Sequence, residues 1–190
     1  MLQTERLILR TWKVADRGPF AQLNADPSVM RYFPVTLSRP ESDALVDAIE
    51  AHHSIHGFGL WAVEEKATGA FMGFIGLNIP SFQAHFTPTV EIGWRLAQPF
   101  WGKGYATEGA RQALSYGFQG LGLSEIVSFT ATVNRPSIAV MKRLGMTYNP
   151  VDDFEHPRLC PGHPLRPHVL YRMLQSQHQD LSLPEGSDSA

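Results

Sequence analysis

The residues with the most chemical promise lie between Glu91 and Gly145, centred on the turn Trp101-Gly102-Lys103-Gly104-Tyr105-Ala106 that joins a strand-like run to a helix-like one. The first amides of a helix have no internal partner and the helix dipole is positive there. Glycines that let the backbone approach closely therefore make such a turn suited to a pyrophosphate. Two familiar phosphate loops are excluded by spacing. A Walker loop requires Lys then Ser or Thr after its last glycine, and here Tyr105 follows Gly104. A dinucleotide fingerprint requires a third small residue where Thr107 stands. What remains is a phosphate loop of another class, or a structural turn. Elsewhere the chemistry is thin. His52, His53 and His56 share one helix-like stretch, and His52 and His56 have the i,i+4 spacing of metal ligands. No HExxH pattern or third ligand accompanies them, so a packed or solvated helix face is the simpler account. His163 and His168 flank the last strand-like run, as packing residues unless one of them reaches a substrate site. There is no GxSxG elbow, and the only cysteine, Cys160, sits between Leu159 and Pro161 with nothing to activate it.

The elements that must position these residues alternate between strand and helix patterns. Arg6 to Thr11, Leu60 to Glu64, Ala70 to Leu77, Val90 to Leu96, Ile126 to Val133 and His168 to Met173 read as strands, with Lys66-Ala67-Thr68-Gly69 closing an antiparallel hairpin. Asp16 and Asp26 are placed to bound an early helix. Ala44, Leu45, Ala48, Ile49 and His52 fall at helical spacing after Pro40 and an acidic first turn. A third helix starts near Tyr105 with the small face Ala106, Ala110, Ala113 and Leu114. A fourth is N-capped by Asn134, carries Pro136 in its first turn and stops at Gly145. The loop Ser81 to Pro88, with Phe82, His85 and Phe86, is either a lip of an acceptor pocket or a hairpin loop with aromatic packing. One α/β domain with a mixed, mostly antiparallel sheet over residues 1–175 is expected, followed by a frayed polar tail over 176–190.

Composition narrows the function. The net charge of -2 and the pI near 6.4 give no general attraction to nucleic acid. No apolar run approaches the roughly 20 residues needed to cross a bilayer, and Glu5, Arg6 and Arg10 interrupt any secretory h-region. A single cysteine excludes an internal disulfide and thiol-based zinc clusters, which fits a reducing, cytoplasmic setting. Neither nucleic acid, a membrane nor a metal is an expected partner.

The ordered segments "EIGWRL", "FWGKGYATEG" and "TVNRPSIAVMKRLGM" resemble the GCN5-related N-acetyltransferase (GNAT) superfamily, in its branch like the ribosomal-protein-alanine acetyltransferases. The opening "TERLILR" and the closing "HPLRPHVLYRM" are similar to the same branch, so the likeness runs from about Thr4 to Met173. It implies a sheet whose central strands splay apart, with the pantetheine arm of acetyl-CoA in the gap, held by backbone near Gly93, Trp94 and Arg95. It places the pyrophosphate on the amides of Gly102, Lys103, Gly104, Tyr105 and Ala106, flanked by Trp101 and Thr107, with Asn134 touching the CoA arm. Many relatives carry Gln or Arg where Trp101 stands, so one polar phosphate contact is in doubt. Lys103 either adds charge or is simply solvated.

The implied reaction is direct attack of a primary amine on acetyl-CoA in a ternary complex. The amine belongs to a protein N-terminus or a small molecule, and no metal takes part. An amine with a pKa of about 8 to 10 must first lose a proton. Glu91, interrupting an apolar strand just before Gly93, is the expected base, with a surface ion pair as its alternative role. The tyrosine that the family uses as acid is replaced by Met141, which leaves the Ser137 hydroxyl, or a plain first-turn serine. The missing tyrosine also admits a catalytically silent acyl-CoA sensor as a second reading. A homodimer is implied only weakly.

Overall fold

Short segments rich in β-branched and aromatic residues pair into one sheet in a computed structural model of the protein, which describes residues 1–182. Its strands are β1 (Leu2–Gln3), β2 (Leu7–Arg10), β3 (Leu60–Glu65), β4 (Phe71–Asn78), β5 (Glu91–Leu96), β6 (Glu125–Ala131), β7 (Thr147–Tyr148), β8 (Phe154–Glu155) and β9 (Pro167–Leu174). They run in the order β1-β2-β3-β4-β5-β6-β9-β7, and β8 also pairs with β9. All these pairings are antiparallel except that of β5 with β6. Those two strands run parallel and meet at one register pair, Glu91 with Val127. The mixed, mostly antiparallel sheet with parted central strands is the expected one.

The helices are α1 (Arg17–Ala25), α2 (Arg39–His56), α3 (Tyr105–Ser115), α4 (Arg135–Arg143) and α5 (Gln175–Ser182). Local chemistry sets their ends. Ser38 and Glu41 form a capping box at the start of α2, and Gly57, with φ of 76°, ends it in the left-handed conformation. α3 and α4 cover one face of the sheet, burying Ala110, Ala113, Leu114, Ile138 and Met141 against Ile92 and Leu96. α1 and α2 cover the opposite face, burying Phe20, Leu23, Val46 and Ile49 against Ala62 and Phe74. Among the described residues no helix is long and apolar enough to cross a membrane.

The expected frayed tail begins instead as a helix, because α5 has anchors on the domain. Gln175 Nε2 donates to the Phe118 carbonyl at 3.2 Å, and Gln177 Oε1 accepts from the Leu174 amide at 2.9 Å. Residues 183–190 lie outside the described residues.

β4 and β5 meet closely at Gly73, whose φ is 132°. A Cβ there would lie 2.0 Å from the Arg95 carbonyl oxygen and 3.1 Å from the Leu96 Cα. Both obstacles are backbone, so β5 itself would have to move. Gly73→Ala is therefore expected to destabilise the fold by on the order of 2 kcal/mol or more, read as a lower midpoint in urea unfolding.

Candidate active site

β5 and β6 are parallel neighbours, each leading into a helix, so their carboxyl ends open a crevice flanked by the N-termini of α3 and α4. Beyond the pair Glu91–Val127 the strands part. Val90 accepts from the Val127 amide, and the Ile92 carbonyl accepts from the Ser128 hydroxyl at 3.0 Å. These contacts set the alternation along β5: backbone groups of even-numbered residues face β6, and those of Glu91, Gly93 and Arg95 face β4. Of the three residues expected to hold a pantetheine arm by their backbone, only Trp94 presents its N–H and C=O to the gap. The Leu96 N–H joins it. Gly93 and Arg95 have their backbone pairing toward β4, which corrects that part of the expectation.

The turn that follows ends β5 with a lock. The Trp101 indole N–H donates to the Leu96 carbonyl at 2.7 Å. That donor is thereby engaged at the strand end, and the departure at Trp101 is a loop-closing contact rather than a substitute phosphate ligand. Gly102 and Gly104 have φ of 73° and 82°, conformations that L-residues with side chains avoid. The chain turns through them into α3, and the amides from Gly102 to Thr107 find no acceptor among the described residues. Glu108 is the first whose amide bonds within the turn, to the Gly104 carbonyl at 3.0 Å. A run of unpaired N–H groups at a helix N-terminus is the chemistry a pyrophosphate needs, so these residues fit CoA.

A clasp from the far end of the chain, not foreseen from sequence, holds this cradle. Arg6 Nε donates to Glu108 Oε2 at 2.6 Å, Arg6 Nη1 donates to the Lys103 carbonyl at 3.0 Å, and the guanidinium lies 4.5 Å from the Tyr105 ring centre. Thr4 Oγ1 also donates to Glu108, and the Tyr105 hydroxyl donates to Glu65. The Lys103 side chain is left exposed.

Glu91 stands on the sheet face opposite α3 and α4, since Ile92 and Leu96 point into that core. Its Oε1 accepts from Asn78 Nδ2 at 2.8 Å across the β4–β5 ladder. Burial pushes its carboxyl up to about 7, against the opposing pull of the Asn78 hydrogen bond and the positive charge of Arg158. No carboxylate–arginine ion pair forms at Glu91 among the described residues, so the surface-pair alternative does not apply. Arg158 instead donates to the carbonyl and hydroxyl of Ser81, tying together two loops on the Glu91 side.

The Ser81 to Pro88 loop is an aromatic packing element. Phe82 and Phe86 lie 5.6 and 5.7 Å from Phe129, and Phe86 lies 4.9 Å from Phe154. This cluster borders Val127, the register partner of Glu91. His156 and His168 pack into it with ring centres 4.9 Å apart, and burial pushes His156 down to about 4. His163 Nδ1 accepts from the Leu165 amide in the preceding loop. His52 is also a packing residue. Its Nδ1 faces the Phe58 carbonyl at 3.0 Å and its Nε2 accepts from the Ile79 amide at 3.3 Å, which requires the neutral Nδ1–H form. Among the described residues no group of three or more His, Cys, Asp or Glu stands close enough to hold a metal ion.

α4 supplies the other flank. Asn134 Oδ1 accepts from the Ser137 amide at 3.3 Å and its Nδ2 donates to Thr130 Oγ1 at 2.8 Å, so it is an N-cap by geometry. Ser137 is half-buried and its hydroxyl has no hydrogen bond among the described residues. Met141 is fully buried in the α3/α4 core.

Comparison with known proteins agrees with this geometry. Residues 6–147 match the family described as acetyltransferase (GNAT) domain. The chain is 37% identical over 161 residues to an FsC-acetyl coenzyme A-N(2)-transacetylase of Aspergillus fumigatus, covering 77% of this chain and 65% of that protein. It is similar to the crystal structure of an acetyltransferase from Agrobacterium tumefaciens str. C58, with 28% identity, TM-score 0.72 and coverage of 90% of this chain and 92% of that one. The fold is shared by a spermidine N-acetyltransferase from Vibrio cholerae in complex with CoA and spermine, with 21% identity, TM-score 0.71 and coverage of 92% and 98%. The chain belongs to the GNAT family and is an acyl-CoA-dependent N-acetyltransferase.

Proposed function

We propose that this chain, in the branch like the ribosomal-protein-alanine acetyltransferases, moves an acetyl group from acetyl-CoA to a primary amine in a ternary complex. The observation that carries the reading is the run of unpaired amides from Gly102 to Thr107, opening at the carboxyl end of the β5–β6 gap. Acetyl-CoA supplies an activated acyl thioester. The chain's own residues divide the remaining work between the two faces of the sheet. Glu91, on the α1/α2 face, takes a proton from the incoming ammonium. Its raised carboxyl is matched to that task near neutral pH. The Trp94 N–H, fixed in the gap edge, is an oxyanion-type donor whose effect is independent of side-chain identity. Ser137, at the N-terminus of α4 on the opposite face, is the hydroxyl available to hydrogen-bond a departing thiolate. Asn134 holds the first turn of α4 in place beside it.

Thermal unfolding with acetyl-CoA, CoA and ATP tests the cofactor half of this reading. A ligand at 100 times its Kd adds about 2.7 kcal/mol. A shift with both thiol ligands and none with ATP is the expected result; no shift with either thiol ligand at saturation withdraws the proposal. Ser137→Ala is expected to lower kcat by on the order of ten-fold with little change in KM for acetyl-CoA, measured by thiol release. An unchanged kcat assigns Ser137 to the helix turn alone.

A further inference from the structure

The face of β5 that carries Glu91 also carries Gly93 and Arg95, by the two-residue period of a strand. A Cβ added at Gly93 would meet nothing within 4 Å, so the floor between the two charged side chains is open. About 13 Å of strand separates their Cα atoms. On this face β5 lies between the α1/α2 core and the Phe82–Phe86–Phe129–Phe154 cluster.

Arg95 stands on this face with no carboxylate partner among the described residues. Nη1 donates to Asn24 Oδ1 at 2.6 Å, and the guanidinium lies 4.0 Å from the Phe33 ring centre and 5.3 Å from that of Phe74. Nε is buried without a partner, and no carboxylate lies within ion-pair distance among the described residues. Nη2 likewise has no hydrogen bond among the described residues. The aim of the group is built, because Asn24 is fully buried in α1 and its Nδ2 donates at 2.9 Å to Ser42 Oγ, fully buried in α2. A neutral frame from two helices thus holds Nη1 and leaves the guanidinium edge formed by Nε and Nη2 without an acceptor, with Nε closed off from solvent. That edge takes a carboxylate through two parallel hydrogen bonds. Burial lowers the Arg95 pKa to about 10, in keeping with a missing counter-charge. Packing alone does not account for it, since an apolar side chain of similar volume serves a core at least as well as an unpaired buried cation.

We propose that the Arg95 guanidinium anchors a carboxylate on the acceptor, so that the preferred acceptors are small aminocarboxylic acids whose amine reaches Glu91. This rests on the assignment of Glu91 to the amine. Phe33, exposed and stacked over the guanidinium face at 4.0 Å, borders the approach to this group. A polyamine would bring a second positive charge to Arg95 and is disfavoured by the same geometry.

The test compares kcat/KM for glycine, 4-aminobutyrate and 6-aminohexanoate with that for their carboxamides and for linear diamines of matching length. At the best chain length the carboxylate is expected to exceed its carboxamide by at least ten-fold in the wild-type protein. In Arg95→Met the ratio should fall to about one. Because the ratio is internal to each protein, any effect of the substitution on acetyl-CoA binding cancels. Carboxylate and carboxamide within two-fold at every length overturns the inference and leaves amine acetylation intact. If no amine is turned over, binding decides separately: with CoA bound, N-acetyl-6-aminohexanoate should raise the unfolding midpoint of the wild type but not of Arg95→Met, while the acetylated carboxamide raises neither. Equal effects of the two products, or none, overturn the anchor without reference to catalysis.

Discussion

Glu91→Gln is expected to lower kcat by 10²- to 10⁴-fold, on the order of what a positioned base contributes, while the stabilisation by acetyl-CoA persists. The same change should make the protein more stable at pH 8. The Glu91 carboxyl is raised from 4.5 to about 7 in the folded chain, so the native state favours its protonated form. That contribution to stability is fully present below about pH 4.5 and is lost as pH rises through about 7. Gln has no charge to desolvate and escapes the loss. In wild type, kcat at saturating acceptor should rise with pH and level off above about 7, and this limb should vanish in Glu91→Gln. A silent sensor has no such limb to lose. A variant that keeps wild-type turnover would remove Glu91 from the reaction.

Gly104→Val is expected to weaken acetyl-CoA binding by on the order of 10²-fold. A β-branched residue at φ of 82° is strained by about 1–2 kcal/mol, and the turn relieves that strain by rebuilding. The amides from Gly102 to Thr107 then lose their common aim, and one or two charge-assisted hydrogen bonds are about the size of the loss. Space is not the cause, because the nearest atom to an added Cβ is Arg6 Nη2 at 3.5 Å. Calorimetric titration with CoA separates the two effects, since the fold should lose far less than the complex. An affinity within three-fold of wild type would place the pyrophosphate elsewhere.

The parts legible in the sequence are those set by local rules. Glycine conformation, the unpaired amides of a helix start and the Asn134 cap each depend on a few consecutive residues, so the glycine turn into α3 and the start of α4 stand where their patterns predict. β7 and β8 have two residues each, too few for a period. The helix at Gln175 has a polar composition that gives no signal of its own, and its anchors lie on Phe118 and Leu174. The Asn78–Glu91 bond needs the β4–β5 register, and the isolation of Arg95 needs three elements brought together. A strand's alternation also decides which backbone faces the gap, and that parity emerges only once Val127 is seen to pair with Glu91.

The clasp of Thr4 and Arg6 on Glu108 and Lys103 joins positions about a hundred residues apart. On the proposed placement of the pyrophosphate, the cradle is held only once the N-terminal strand has docked, so saturation by CoA is expected to report completed folding rather than a locally formed loop. By mass action the bound cofactor must in turn oppose detachment of the N-terminal edge of the sheet, so slowed hydrogen exchange at Leu7 and Leu9 would register occupancy of a loop they never touch.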